Sequence, residues 1–219
     1  MKSFFVLSFM VLVCGAFAPA YGQTSEPVAG KDYIEIAGGQ PLNPTAKKVV
    51  VEEFFNYICP ACFQFESQFS AWAKKLPDYV EVVHIPAAFH PDFAYYAKVF
   101  YAAQILGVGQ KSHQAVYDAI HQTNKLPGEG QKMDDEKITA FYAQYGVDPK
   151  QFLSTMESFG VNTKVGMATA HMKACKVYST PSLLINGRYL VNGKTYSDNL
   201  RIASYLIEKV KNPNLSPAK

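Results

Sequence analysis

Cysteine is scarce in this chain, and the four present (Cys14, Cys59, Cys62 and Cys175) do not provide the two further ligands at similar spacing that a structural zinc site requires. Net charge is also nearly absent: the formal value is +3, and it falls to +2 if Lys2 leaves with the N-terminus. So weak a balance gives no reason to expect nucleic acid or an anionic membrane as partner. Beyond the first 22 residues there is no second apolar run of membrane-spanning length, no internal repeat and no low-complexity tract. What remains is one globular unit, nearly half hydrophobic and rich in Tyr and Phe, large enough for a sizeable core with an insertion.

The N-terminus is of a different kind. Lys2 is followed by the apolar run from Phe4 to Val13 and by the small-residue exit Ala18-Pro19-Ala20-Tyr21-Gly22. A basic start, a short apolar stretch and small residues at its end read as a cleaved secretory signal over residues 1–22, with the mature chain beginning near Gln23. A lipid anchor at Cys14 is the alternative, and Val13 stands against it, because lipidation calls for a small residue before the cysteine. Export places the remaining three cysteines in an oxidising compartment, where a dithiol is either structural or catalytic.

Cys59-Pro60-Ala61-Cys62 follows the apolar run Val49 to Phe55 and precedes the amphipathic segment Phe63 to Leu76. A strand that delivers a C-x-x-C onto a helix N-terminus sets the first sulfur against unpaired N–H groups and partial positive charge, which stabilise a thiolate. Pro60 suits the first helical position, having no N–H to leave unpaired. Cys59 is then the solvent-facing nucleophile and Cys62, one turn in, the resolving thiol. Half of a zinc site and an inert pair are the other readings of the same four residues.

Residues 23–46 form a Gly/Pro-punctuated leader with a short edge strand at Tyr33–Ile36, too short to fold alone. A central strand is expected over Lys47–Tyr57, a helix carrying Phe65, Phe69, Trp72 and Leu76 up to Pro77, and a second strand over Tyr79–Pro86. This β-α-β unit puts the dithiol at the carboxyl end of its strand, where open α/β sheets hold their sites. Residues 92–175 switch to helical periodicity, with helix starts at Asp134 and Asp148-Pro149. Strands return at Ser182–Ile185 and Arg188–Val191 around Asn186-Gly187, a strong hairpin signal. Leu200, Ala203, Leu206, Ile207 and Val210 stripe a closing helix, and residues 212–219 are a tail. The expected fold is α/β with a discontinuous domain, 47–91 and 176–211, interrupted by an all-helical insertion.

The order strand, C-x-x-C helix, strand, helical insert, proline, Asn-Gly hairpin and helix resembles the thioredoxin superfamily. Glu53-Phe54-Phe55-Asn56-Tyr57-Ile58 before the dithiol, Gln64-Phe65-Glu66 after it, and Thr180-Pro181 before Leu183-Leu184-Ile185-Asn186-Gly187-Arg188-Tyr189 make the match closer. They resemble the DsbA family of exported thiol:disulfide oxidoreductases, which have a thioredoxin fold with an inserted helical domain. The resemblance implies a cis-proline at Pro181, with Thr180 and Pro181 docking an extended substrate segment beside Cys59. It implies a buried Glu53 that relays a proton to Cys62, and it sets His84 where the family often has Lys, so that a Glu53–His84 pair is expected. Two positions depart from the family. Ala61 stands where the strongest oxidants have His between Pro60 and Cys62, which implies a weaker oxidant; Thr180 stands where Val is common, as it does in exported isomerases.

Cys175, four residues after His171 on a helix, shares a face with it; it reads as half of a metal site, as a Cys–His pair or, more simply, as inert core packing. His90, His113 and His121 have no companion ligands and receive no role. Asn214-Leu215-Ser216 matches a glycosylation acceptor, with Pro217 following. The resemblance implies an exported periplasmic oxidase, a monomer without a bound organic cofactor or metal. It would act on unfolded or reduced exported proteins and be reoxidised by a quinone-linked DsbB-like membrane protein. An isomerase or reductase with the same site, or a non-enzymatic peptide-binding chaperone, are the alternatives.

Overall fold

The computed structural model describes residues 26–45 and 47–213. The signal segment, Cys14, the expected start at Gln23 and the Asn214 sequon lie outside the described residues. Five strands form one sheet: β1 (Tyr33–Glu35), β2 (Val49–Phe55), β3 (Val80–Pro86), β4 (Ser182–Ile185) and β5 (Tyr189–Val191), in the order β1-β5-β4-β2-β3. Only β2 and β3 run parallel, with Glu53 opposite His84; β4 runs antiparallel to β2 and places Leu183 opposite Glu53. Every residue of β2 is buried, as an apolar run covered on both faces requires.

Among the described residues there are seven helices: α1 (Pro60–Ala73), α2 (Pro91–Ile105), α3 (Gly109–His121), α4 (Asp135–Ala143), α5 (Pro149–Met156), α6 (Phe159–Ala174) and α7 (Tyr196–Lys211). Because strand side chains alternate, Val49 and Val51 meet Phe65 and Phe69 of α1 and Leu206 of α7 in one core. Phe54 and Leu184 belong to the other core, with Val99 of α2 and Ala168 and Met172 of α6. A fully covered side chain of this size contributes roughly 1.5–3 kcal/mol, against about 0–1 kcal/mol for a surface ion pair, so these two cores hold the layers together. Between β3 and β4 lie only the five helices α2 to α6.

Several boundaries differ from the sequence reading. The central strand is shorter than Lys47–Tyr57, because Asn56 and Tyr57 already turn toward the dithiol. The first helix stops at Ala73 rather than near Pro77; Lys75 and Leu76 donate to carbonyls three residues back, in tighter turns. Leu76 nevertheless packs on the α1–α7 core. Arg188 does not open β5, because its N–H closes the hairpin turn onto the Ile185 carbonyl at 3.0 Å. Both turn residues take left-handed backbone, Asn186 at φ 54° and Gly187 at φ 67°, as this turn demands.

Asp134 and Asp148 cap α4 and α5, each side chain accepting from the N–H three residues on, and Pro149 occupies the first turn of α5. In the closing helix Leu200, Ala203, Leu206 and Ile207 are buried. Among the described residues no helix is long and apolar enough to cross a membrane.

Candidate active site

Asn56 builds the turn that presents the dithiol. Its side-chain amide donates to the carbonyls of Ala87 (2.8 Å) and Phe93 (3.0 Å), and its oxygen accepts from the Ile58 N–H (3.1 Å). Fully buried and with donors and acceptor satisfied, Asn56 ties the end of β2 to the start of α2. In the sequence Asn56 stands only as part of a motif, with nothing to mark this task.

Cys59 is the N-cap of α1, its sulfur accepting from the Cys62 N–H at 3.2 Å, and Pro60 occupies the first turn. Both thiols are free in this structure. Side-chain hydrogen bonding with Cys62 lowers the Cys59 pKa most; burial opposes it, and Thr180 with the N–H groups of Cys62 and Ala61 lowers it further, to about 6. Burial drives Cys62 the other way, well above the usual thiol range, and its hydrogen bond to Cys59 adds to the rise. One sulfur is therefore a ready thiolate and the other a persistent thiol. Cys59 is more covered than a solvent-facing nucleophile was expected to be: 6% of its surface is open, against none for Cys62. The reason is the loop before β4, which lies across it.

That loop carries the cis peptide bond between Thr180 and Pro181, and the Thr180 carbonyl stands 3.6 Å from Cys59 Sγ. Ala61 has no side-chain donor to offer, but its carbonyl accepts from Tyr196 Oη at 3.1 Å, so α7 steadies the dithiol loop. Tyr178, two residues before Thr180, is 75% exposed, an aromatic surface left free beside these groups.

Behind the dithiol, Glu53 is buried and its Oε2 lies 2.6 Å from His84 Nδ1. Burial lowers the His84 pKa, but the hydrogen bond and charge of Glu53, with the charge of Glu66, outweigh it and leave the imidazole above its usual value. Three residues without an assigned role join this region. His113 Nδ1 meets Tyr57 Oη at 3.0 Å and its Nε2 is 3.6 Å from Glu66 Oε2. Tyr117 is fully buried; burial raises its phenol most, and negative charge on Cys62, Glu53 and Glu66 raises it further. Glu66 follows Cys62 by one helical turn and belongs to the Gln64-Phe65-Glu66 motif, but neither signal gave it a role. His121 instead braces the scaffold, its Nε2 2.7 Å from the Tyr57 carbonyl and its ring stacked on Phe63. His90 pairs with Asp92 at the start of α2.

On the other face of the sheet, Cys175 Sγ lies 3.7 Å from His171 Nδ1, and His171 Nε2 lies 3.0 Å from Glu52 Oε1. Burial and the charge of Glu52 push the Cys175 thiol up to about 11. Among the described residues, no group of three or more His, Cys, Asp or Glu side chains is arranged to hold a metal ion.

A reactive thiol capping the helix after a central strand, a buried second thiol one turn in, and a cis-proline loop across them define a dithiol oxidoreductase of the thioredoxin class. A family model described as thioredoxin matches residues 43–203. The thiol:disulfide interchange protein DsbA of Burkholderia cepacia is 32% identical over 96% of this chain and 99% of its own length. That of Pseudomonas aeruginosa is 33% identical over 93% and 95%. Among solved structures, oxidoreductase DsbA from Xylella fastidiosa superposes with a TM-score of 0.81 at 36% identity, covering 84% of this chain and 98% of that one. The chain belongs to the thioredoxin family and, within it, to the DsbA thiol:disulfide interchange proteins.

Proposed function

We propose that this protein is an exported, periplasmic oxidase that introduces disulfide bonds into unfolded or reduced proteins through Cys59 and Cys62. The observation that carries the reading is the opposed pair of thiols: a Cys59 pKa lowered to about 6 beside a Cys62 pKa driven up. In the oxidised protein a substrate thiolate attacks Cys59 Sγ. A mixed disulfide forms, the Cys59–Cys62 bond breaks, and Cys62 leaves as a thiolate that takes up a proton. A second substrate thiolate then attacks the substrate sulfur of the mixed disulfide, and Cys59 departs. A thiol with so low a pKa is a good leaving group, which favours release of an oxidised substrate. Two electrons are left on the protein as its dithiol, and a disulfide of a quinone-linked DsbB-like membrane protein accepts them.

In this reading Thr180 and Pro181 align the extended substrate segment, with Tyr178 beside them, and Pro60 and Ala61 tune the nucleophile. Glu53, buried and paired with His84, exchanges the proton that Cys62 gains and loses. Residues 47–91 and 176–211 act as one thioredoxin-like unit and residues 92–175 as its helical insertion. The protein works as a monomer. Thr180 and the missing donor at Ala61 favour a second reading, an isomerase or reductase using the same site. Refolding of reduced ribonuclease, refolding of scrambled ribonuclease and insulin reduction, run side by side with light scattering, separate the two. The oxidase reading expects fast oxidation of reduced ribonuclease by a monomer. A dimer that unscrambles ribonuclease faster than it oxidises it would move the assignment to the isomerase.

A further inference from the structure

Four buried polar atoms behind the dithiol have no hydrogen-bond partner: Glu53 Oε1, Glu66 Oε2, His113 Nε2 and Tyr117 Oη. They belong to one cluster, for the Phe55 ring meets the rings of His84, His113 and Tyr117 with centroids 5.8, 5.3 and 6.2 Å apart. Leaving a buried polar atom unsatisfied costs about 1–3 kcal/mol, so four in one place are poorly explained by stability. The His84 and His113 rings lie 4.9 Å apart, and His113 Nε2 stands 3.6 Å from Glu66 Oε2, within ion-pair range but beyond a direct hydrogen bond.

The cluster borders a cavity of about 810 Å³, whose walls include Glu66, His84 and His113 with Lys74 and Lys164. None of Cys59, Cys62, Thr180 and Pro181 lines it. Glu53 and Glu66 are enclosed, with side chains 1% and 7% exposed, whereas His113 and His84 open onto the cavity at 14% and 30%. Both imidazoles therefore face the solvent of a cavity that the loop carrying Thr180 and Pro181 does not line.

We propose that His84 and His113 form an imidazole pair that carries the Cys62 proton between Glu53 and the solvent of this cavity. The inference rests on the exchange reaction set out above and adds its proton route. When the Cys59–Cys62 bond breaks, the Glu53 carboxylate takes a proton from His84 and passes it to the Cys62 thiolate, and His84 is replenished from cavity water through His113. When the dithiol is reoxidised the same proton runs outward, and electrons move only through sulfur. The groups facing the imidazoles are Glu53 from β2, Glu66 and Lys74 from α1, Tyr57 after β2, Tyr117 from α3, and Tyr101 and Lys164 at the cavity wall. Against the opposing effect of burial, the hydrogen bond and charge of Glu53 favour the protonated imidazole at His84.

His113 acts through other groups, so its test needs a signal that a merely structural role does not move. The oxidised full-length protein is mixed with dithiothreitol, acid-quenched, and its new thiols are labelled and counted over a pH series. His113→Ala is expected to slow release of Cys62 by at least about tenfold, general acid–base transfer being worth about 10²–10⁴-fold. It should also flatten the near-neutral part of the pH profile, and free imidazole entering the cavity should restore the rate. His113→Gln, which keeps a hydrogen bond to Tyr57 but cannot shuttle a proton, should be as slow as His113→Ala at an unchanged melting temperature. A wild-type rate in either variant, or a loss that imidazole does not restore, overturns the proposal. The assay needs no protein substrate. An inactive oxidase with imidazole-dependent single turnover would sink the oxidase reading alone, whereas brisk oxidation without His113 dependence would sink the relay alone.

Discussion

Glu52 and Glu53, consecutive in the central strand and both fully buried, point to opposite faces of the sheet. Glu52 is closed by His171 of α6 and by the Leu42 N–H at 2.7 Å, and Glu53 by His84 of the neighbouring strand. One carboxylate thus fastens α6 to the sheet, and the other is held within the sheet by the neighbouring strand.

Removing one partner of the Glu52–His171 pair leaves a buried group uncompensated, which typically costs about 3–5 kcal/mol. His171→Ala is expected to lose stability on that scale while the alkylation rate of Cys59 stays as it was. Urea denaturation and iodoacetamide kinetics measure the two separately. A change in Cys59 reactivity at unaltered stability would put Glu52 in the chemistry.

Cys59 should react with iodoacetamide first, with an apparent midpoint near pH 6, while Cys62 stays unlabelled until far higher pH. The same shift fixes a stability trend for the reduced protein. The Cys59 pKa is depressed on folding, so its contribution is complete above the ordinary thiol value of 9.0 and is lost as pH falls through about 6. Denaturation of the reduced form should therefore show stability rising between those limits, with no such rise from this group in the oxidised form. Preferential labelling of Cys62 would reverse the two roles.

Ala61→His introduces a donor and partial positive charge beside the thiolate. Equilibration with glutathione should shift by about tenfold toward a more oxidising protein, with a lower Cys59 pKa. A shift toward a more reducing potential would show that position 61 does not act through the thiolate.

At Gly187, with φ +67°, an added Cβ would stand 1.9 Å from the Gln40 carbonyl carbon and 2.2 Å from Pro41 N, both backbone atoms of the leader. Gly187→Ala is expected to cost about 2 kcal/mol or more, from the left-handed backbone and the displaced leader together. A chemical melt checks this; stability unchanged would mean that the leader moves aside freely.

Local chemistry made much of this legible in the sequence. Pro60 at a first turn, Asp148-Pro149 at a cap and Asn186-Gly187 at a hairpin are each set by residues within a few positions. The parallel pairing of β2 and β3 then brings Glu53 to His84. What stayed hidden came from distant segments meeting. His171 reaches Glu52 across more than a hundred residues, and His113 reaches Glu66 only because α3 packs on α1. Asn56 reads as an ordinary turn residue until its amide is seen bridging to Ala87 and Phe93.

Cys175 is 2% exposed at the end of α6, in the core that this helix shares with α2 and β2. A protein that trades disulfides with an odd thiol of its own runs a risk of mispairing while it folds. Before α6 docks, three sulfurs can exchange partners; afterwards two can. Seating one helix therefore withdraws Cys175 from exchange and leaves Cys59 and Cys62 as each other's available partners.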